Sequence, residues 1–320
     1  MTRLKSRITV LLAAGSLLAG LQASPGFAQA KPAPAPAPTP AAAAPAGAKP
    51  ASVMATPALW KLSDADTTIY LFGTVHALPA GIDWDHGNVA KAMASAGTLV
   101  TEVPMAAMSA PETQAMFLQH AKLPEGQTLR QLLDPEQRAT YEAAMTKLGL
   151  PVGAFDQFEP WFASVTLTMI PLMKQGYNPA NGVDKTIDAK LPASVKRDAL
   201  ETIQYQLGLF EGMPPAMQAK FLASTASQID KVGASIDAMV ADWTKGDADG
   251  LATLMNQDLD DPQVADRLLY QRNRNWAKWI EQRMSQPGTV FIAVGAGHLA
   301  GDKSVQHYLE QDGVKVGRVQ

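Results

Sequence analysis

The sequence predicts an α/β fold. Its central sheet is largely parallel or mixed and comes from the N- and C-terminal thirds, with a large helical region between them. Three observations predict this. Residues 67–72 and 289–294 are apolar runs rich in β-branched and aromatic side chains, as buried strands are. Residues 88–96 read as a short helix between the first of these strands and another at 98–103, a spacing that suggests a right-handed βαβ unit with parallel strands. From Pro111 to about Met255 the pattern is mostly helical.

Taken in order, the chain of 320 residues opens on a targeting segment. Arg3, Lys5 and Arg7 precede an apolar run at 8–21, and Ala28-Gln29-Ala30 fits a signal-peptidase site. Residues 1–30 are therefore expected to direct export to the periplasm or the exterior, with the mature chain starting at Lys31. No Cys follows the apolar run, which excludes a lipoprotein signal, and no later stretch reaches the ~20 apolar residues of a membrane span. No stable membrane insertion is expected after cleavage. Residues 31–56 are nearly all Pro and Ala and read as a disordered, extended spacer. The folded domain is expected over 57–320, with a helical insertion at about 105–260.

Within that domain, Asp134-Pro135 reads as an N-cap followed by a first-turn proline. Glu159-Pro160 opens a helix apolar almost all round. Residues 195–200 suggest a short strand, and 201–210, 216–229 and 236–245 further helices. Asp261-Pro262 starts the last long helix, with Leu268, Leu269, Trp276, Trp279 and Ile280 as its apolar stripe. Arg272 falls on that stripe, where an unpaired charge is costly. It either meets a carboxylate or serves a site. A helix at 304–311 and a strand at 314–319 end the chain.

A formal net charge of −3 gives no electrostatic case for a nucleic-acid partner. With no cysteine, disulfides, thiolate metal sites and Cys nucleophiles are excluded, so any metal must be held by His and carboxylate. There is no P-loop, dinucleotide glycine fingerprint, H-E-x-x-H or G-x-S-x-G. Two strands each stop at a glycine and deliver a histidine: Gly73-Thr74-Val75-His76 and Gly295-Ala296-Gly297-His298. Such glycines permit a tight turn or a close approach. If the strands are near neighbours, the histidines converge on one pocket. Glu102 ends the second strand and should share that sheet edge, where it could ligate a metal, act as a general base or pair with Arg272. His86, His120 and His307 read as surface residues.

The pieces Leu59-Trp60, Leu71-Phe72-Gly73-Thr74-Val75-His76, Glu102, Gly182-Val183-Asp184, Leu200-Glu201-Thr202, Trp243 with Gly246-Asp247, Arg272-Asn273 with Trp276, and Val294 to Gly301 resemble the TraB/GumN family, which includes the Tiki proteases. The resemblance runs from Leu59 to the C-terminus. It implies a fold related to the erythromycin-esterase/ChaN-like group. It also implies a site of His76, Glu102 and His298 with Arg272 nearby, and Gly73, Asp184, Glu201, Asn273 and Gly295 as further candidates. By the same resemblance, a divalent metal (Mn, Co or Zn) on His76, His298 and Glu102 would serve a hydrolase, peptidase-like, acting on a peptide or other small polymer. Two alternatives stay open: a non-catalytic binder of peptide, polysaccharide or haem, and a metal-free esterase with a His base.

Overall fold

The computed structural model describes residues 52–258 and 261–320. The expected signal peptide and nearly all of the expected spacer lie outside the described residues. Inside them the α/β expectation holds. Six strands form one sheet: β2 (Leu59–Ser63), β3 (Thr67–Thr74), β5 (Thr98–Thr101), β6 (Lys196–Ala199), β7 (Gly288–Gly295) and β8 (Gly317–Arg318), in the order β6-β5-β7-β3-β2-β8. β6, β5, β7 and β3 run parallel, and β2 is antiparallel to both its neighbours. A separate parallel pair joins β1 (Val53–Met54) to β4 (Ile82–Asp83). β1 falls in the stretch expected to be spacer. Residues 52–56 carry no proline, so their N–H groups can enter a ladder, and the fold starts earlier than its Pro/Ala composition suggests.

Side chains on β7 alternate between two cores. Val290, Ile292 and Val294 join Leu62, Ile69, Leu71 and Val100 on one face. Phe291 and Ala293 join Leu59, Phe72 and Leu99 on the other. Both faces are buried, which is why the strand reads as an unbroken apolar run rather than an alternation. The helical middle covers the second face through residues such as Trp161, Phe162, Leu222 and Trp243. The first face is covered by Trp276, Ala277 and Ile280 of the helix Gln271–Met284 and by Leu309 of the helix Val305–Gln311.

The last long helix therefore serves both cores. Leu268 and Leu269 belong to one and Trp276 to the other. Leu268 and Leu269 lie in a π-helical turn, Asp266–Tyr270, and Arg272 follows it towards Trp276. What reads in sequence as one apolar stripe with an arginine on it is two stripes, with Arg272 between them.

β3 and β5 are parallel, as expected, but they are not neighbours. β7, from the far end of the chain, lies between them, with Thr74 opposite Gly295 and Thr101 opposite Ala293. The expected final strand shrinks to Gly317–Arg318. Its first residues close the preceding helix instead, with Val314 N–H donating to the Leu309 carbonyl.

Candidate functional site

Because β3, β7, β5 and β6 are parallel and adjacent, their carboxyl ends open on one edge, the usual ligand side of such sheets. His76 follows β3, His298 follows β7, Glu102 follows β5 and Glu201 follows β6. The ladder carries β6 to the site, with Leu200 N–H donating to the Thr101 carbonyl and Glu201 N–H to the Glu102 carbonyl. Two close approaches shape the loops. A Cβ on Gly73 would lie 2.9 Å from the Ala296 Cα, so the glycine lets the two G-x-x-H turns press together. A Cβ on Gly182 would lie 2.5 Å from the His76 carbonyl oxygen. That contact, with Val183 N–H donating to the Val75 carbonyl, sets Asp184 behind His76.

The centre of the cluster is Arg272, only 1% exposed. Nε donates to Glu201 Oε1 at 2.9 Å, and Nη2 donates to Glu102 Oε2 at 2.6 Å and to Glu201 Oε2 at 2.9 Å. Nη1 donates to the Leu268 carbonyl and to His298 Nε2, both at 3.1 Å. All five N–H groups of the guanidinium are thus engaged. Burial would lower its pKa and is the largest influence, but the Glu102 and Glu201 carboxylates outweigh it and raise the pKa, so the side chain stays charged. Its indole neighbour Trp276 donates Nε1–H to Glu201 Oε1 at 2.8 Å. Glu102 Oε1 accepts the Gly295 N–H at 2.7 Å.

Sequence reasoning missed Gln206. Its amide donates to Glu102 Oε2 at 3.1 Å and to Glu201 Oε2 at 2.9 Å, tying the two carboxylates together. The signal was there. Gln206 lies on the buried stripe of its helix with Ile203, Leu207 and Phe210, as Arg272 lies on its own.

The histidines differ in surroundings. His298 is fully buried, its Nδ1 lies 2.5 Å from Asn273 Oδ1, and its ring lies against Trp276. His76 is 7% exposed, and its Nδ1 forms an ion-pair contact with Asp184 Oδ1 at 3.2 Å, off the line of a good hydrogen bond. His76 Nε2 has no hydrogen-bond partner among the described residues. Burial acts most strongly on its pKa and lowers it; the Asp184 carboxylate beside Nδ1, and then the charge of Glu102, outweigh this and raise the pKa above the usual 6.5. A carbon added at Gly295 would stand 3.1 Å from Glu102 Oε1, 3.4 Å from His76 Nε2 and 3.6 Å from His298 Cδ2, which measures how closely the three converge. The other candidates sit around them: Asp184 behind His76, Asn273 behind His298, Glu201 beyond Arg272, and Gly73 and Gly295 at the strand ends. His120 is exposed and bonds Glu211, while His86 and His307 are half-buried and away from the cluster.

The implied divalent ion can be tested against this donor set. His76 Nε2 suits a metal ligand, with a carboxylate behind the other ring nitrogen. The others do not suit it as arranged. Glu102 spends one oxygen on Gly295 and the other on Arg272 and Gln206, and the His298 Nε2 lone pair receives Arg272. Among the described residues no three His, Asp or Glu side chains converge as a ligand set. The resident cation of the cluster is a guanidinium.

Two cavities flank the cluster. A groove of about 740 Å³ runs past Leu200, Glu201, Tyr205, Trp276 and Trp279, and it meets the cluster only at Glu201 and Trp276. A chamber of about 30 Å³ adjoins His76, walled by Thr74, Ile236, Met239, Val240, Trp243 and Met255. The chemistry lies nearer the small chamber than the large groove.

The model of the TraB/PrgY/gumN family matches residues 58–318. No curated protein and no solved structure gives a match.

Proposed function

This chain belongs to the TraB/PrgY/gumN family, and from that premise we propose that it is a hydrolase acting outside the cytoplasm, with His76 as its proton acceptor. The observation that carries the reading is the unpartnered Nε2 of a buried histidine with an aspartate behind its other nitrogen, at the carboxyl edge of a parallel sheet. In the reaction, Nε2 takes a proton from water as the water oxygen attacks a carbonyl carbon. The imidazolium, stabilised by Asp184, then returns that proton to the leaving group as the carbon–leaving-group bond breaks. Glu102 adds negative charge beside the imidazolium. Arg272, its donors committed, holds the Glu102 and Glu201 carboxylates together and is not free to bind an oxyanion. The export signal read in residues 1–30 supports a periplasmic or extracellular place, and the family supports a peptide or other small polymer as substrate.

The test uses the mature chain with a peptide library and chromogenic esters, with and without exhaustive chelation. His76→Ala should lower kcat/KM by about a hundred- to ten-thousand-fold, and wild-type activity should survive chelation. Equal activity in wild type and variant would sink the proposal. Loss on chelation with recovery on Mn, Co or Zn would overturn this reading in favour of a metal-dependent hydrolase, for which the open Nε2 of His76 offers a ligand. A ligand bound and returned unchanged would make the protein a binder.

Asp184→Asn gives an independent check by NMR titration of the His76 ring. With the carboxylate gone, burial dominates and the His76 pKa should fall below 6.5. In the wild type the raised pKa contributes stability that is full below the unfolded value and is lost as pH rises through the folded one. In the variant that contribution should vanish, and the acid limb of any pH–rate profile should move to lower pH.

A further inference from the structure

The two G-x-x-H histidines look alike in sequence, but the hydrogen bonds around them set different tasks. The Asn273 amide is oriented by its far end, because Nδ2 donates to the Lys303 carbonyl at 2.7 Å, which can only accept. The oxygen end therefore faces His298, and since that oxygen also only accepts, His298 Nδ1 carries the proton. At the other side of the ring Arg272 Nη1 can only donate, so Nε2 is an acceptor. Two independent neighbours demand the same neutral tautomer. Trp276 closes one face of the ring, at 4.2 Å between centroids, and Glu102 Oε1 stands 4.0 Å from Nε2. A second proton on the ring would set an N–H against a guanidinium N–H.

We infer that His298 is a positioning residue: locked by Asn273 as the Nδ1–H tautomer, it offers its Nε2 lone pair to Arg272 and holds the guanidinium against Glu102 and Glu201, and its Nε2 neither takes up a second proton nor ligates a metal. The guanidinium takes the place that a dication would need. The inference rests on hydrogen-bond direction alone, so it stands apart from the hydrolase reading, and a chain that cleaves nothing can still show this tautomer.

The experiment is ¹H–¹⁵N correlation of the histidine rings in the ¹⁵N-labelled mature chain at neutral pH. The expected result is a His298 ring protonated at Nδ1 and bare at Nε2, and Zn²⁺ added to the same sample should leave His298 Nε2 unmoved whatever it does to His76. A ring protonated at Nε2, or a His298 Nε2 signal displaced by Zn²⁺, overturns the inference. A variant pair adds a second readout. His298→Gln supplies another acceptor and should keep the Arg272 Nε proton slow to exchange, while His298→Leu should speed its exchange at least several-fold. Equal exchange in the two would also overturn it. Should neither variant fold, the wild-type tautomer decides alone.

Discussion

Arg272→Met is expected to destabilise the protein by about 3–5 kcal/mol, the usual cost of removing one partner from a buried ion pair. The side chain is 1% exposed and fills its site, and methionine replaces most of its apolar length. The loss is therefore mainly electrostatic. Glu102 and Glu201 would keep Gln206 as a shared donor but lose the guanidinium, and His298 Nε2 and the Leu268 carbonyl would lose its N–H groups; Glu201 borders the groove, while Glu102 and His298 stay buried away from water. Arg272→Lys should fall between the two proteins, since an ammonium keeps the charge but cannot span acceptors on five sides. Adding Glu102→Gln and Glu201→Gln to Arg272→Met should recover part of the loss by removing the stranded charges. Urea unfolding monitored by tryptophan fluorescence measures all four proteins, provided the slope is unchanged. A loss below about 1 kcal/mol for Arg272→Met, the range of exposed ion pairs, would mean that the cluster is wetter and weaker than its geometry indicates.

The second large effect is expected at Gly182. Its φ of −55° is open to any residue, so the glycine is there for space and not for backbone freedom. The Cβ of alanine would meet the His76 carbonyl oxygen at 2.5 Å and the Pro179 carbonyl oxygen at 3.1 Å, both backbone atoms that cannot swing aside. The loop must withdraw, at about 1–3 kcal/mol for overpacking, and it takes Asp184 with it. Gly182→Ala should therefore combine lowered stability with a His76 pKa that drifts towards that of Asp184→Asn. Normal stability and a normal His76 titration together would show that the loop yields without moving the aspartate.

The fold and the candidate triad were legible because their signals are local. A strand that ends in G-x-x-H and a glutamate at the end of a second strand both announce a sheet edge, and a strand buried on two faces reads as an apolar run. Pairing is not local, so the sequence did not show that β7 separates β3 from β5, although that insertion is what draws His298 between His76 and Glu102. Arg272 illustrates the limit from another side. Its place on an apolar stripe revealed that it needed partners, but its commitment to five acceptors depends on four separate segments. Gln206 carried the same stripe signal with less force, because a buried amide is a weaker anomaly than a buried guanidinium.

The central place of β7 also bears on when the protein comes into being. β3 and β5 are made early and β7 near the end of synthesis, and the strand that must sit between them is the one that delivers His298. β3 and β5 therefore have a gap between them until the last third of the chain arrives. Contacts so distant in sequence form slowly. Proteolytic removal of the C-terminal third should therefore unmake the sheet rather than trim it. Assembly and competence are in that sense a single late event, set by which end of the chain supplies the middle strand.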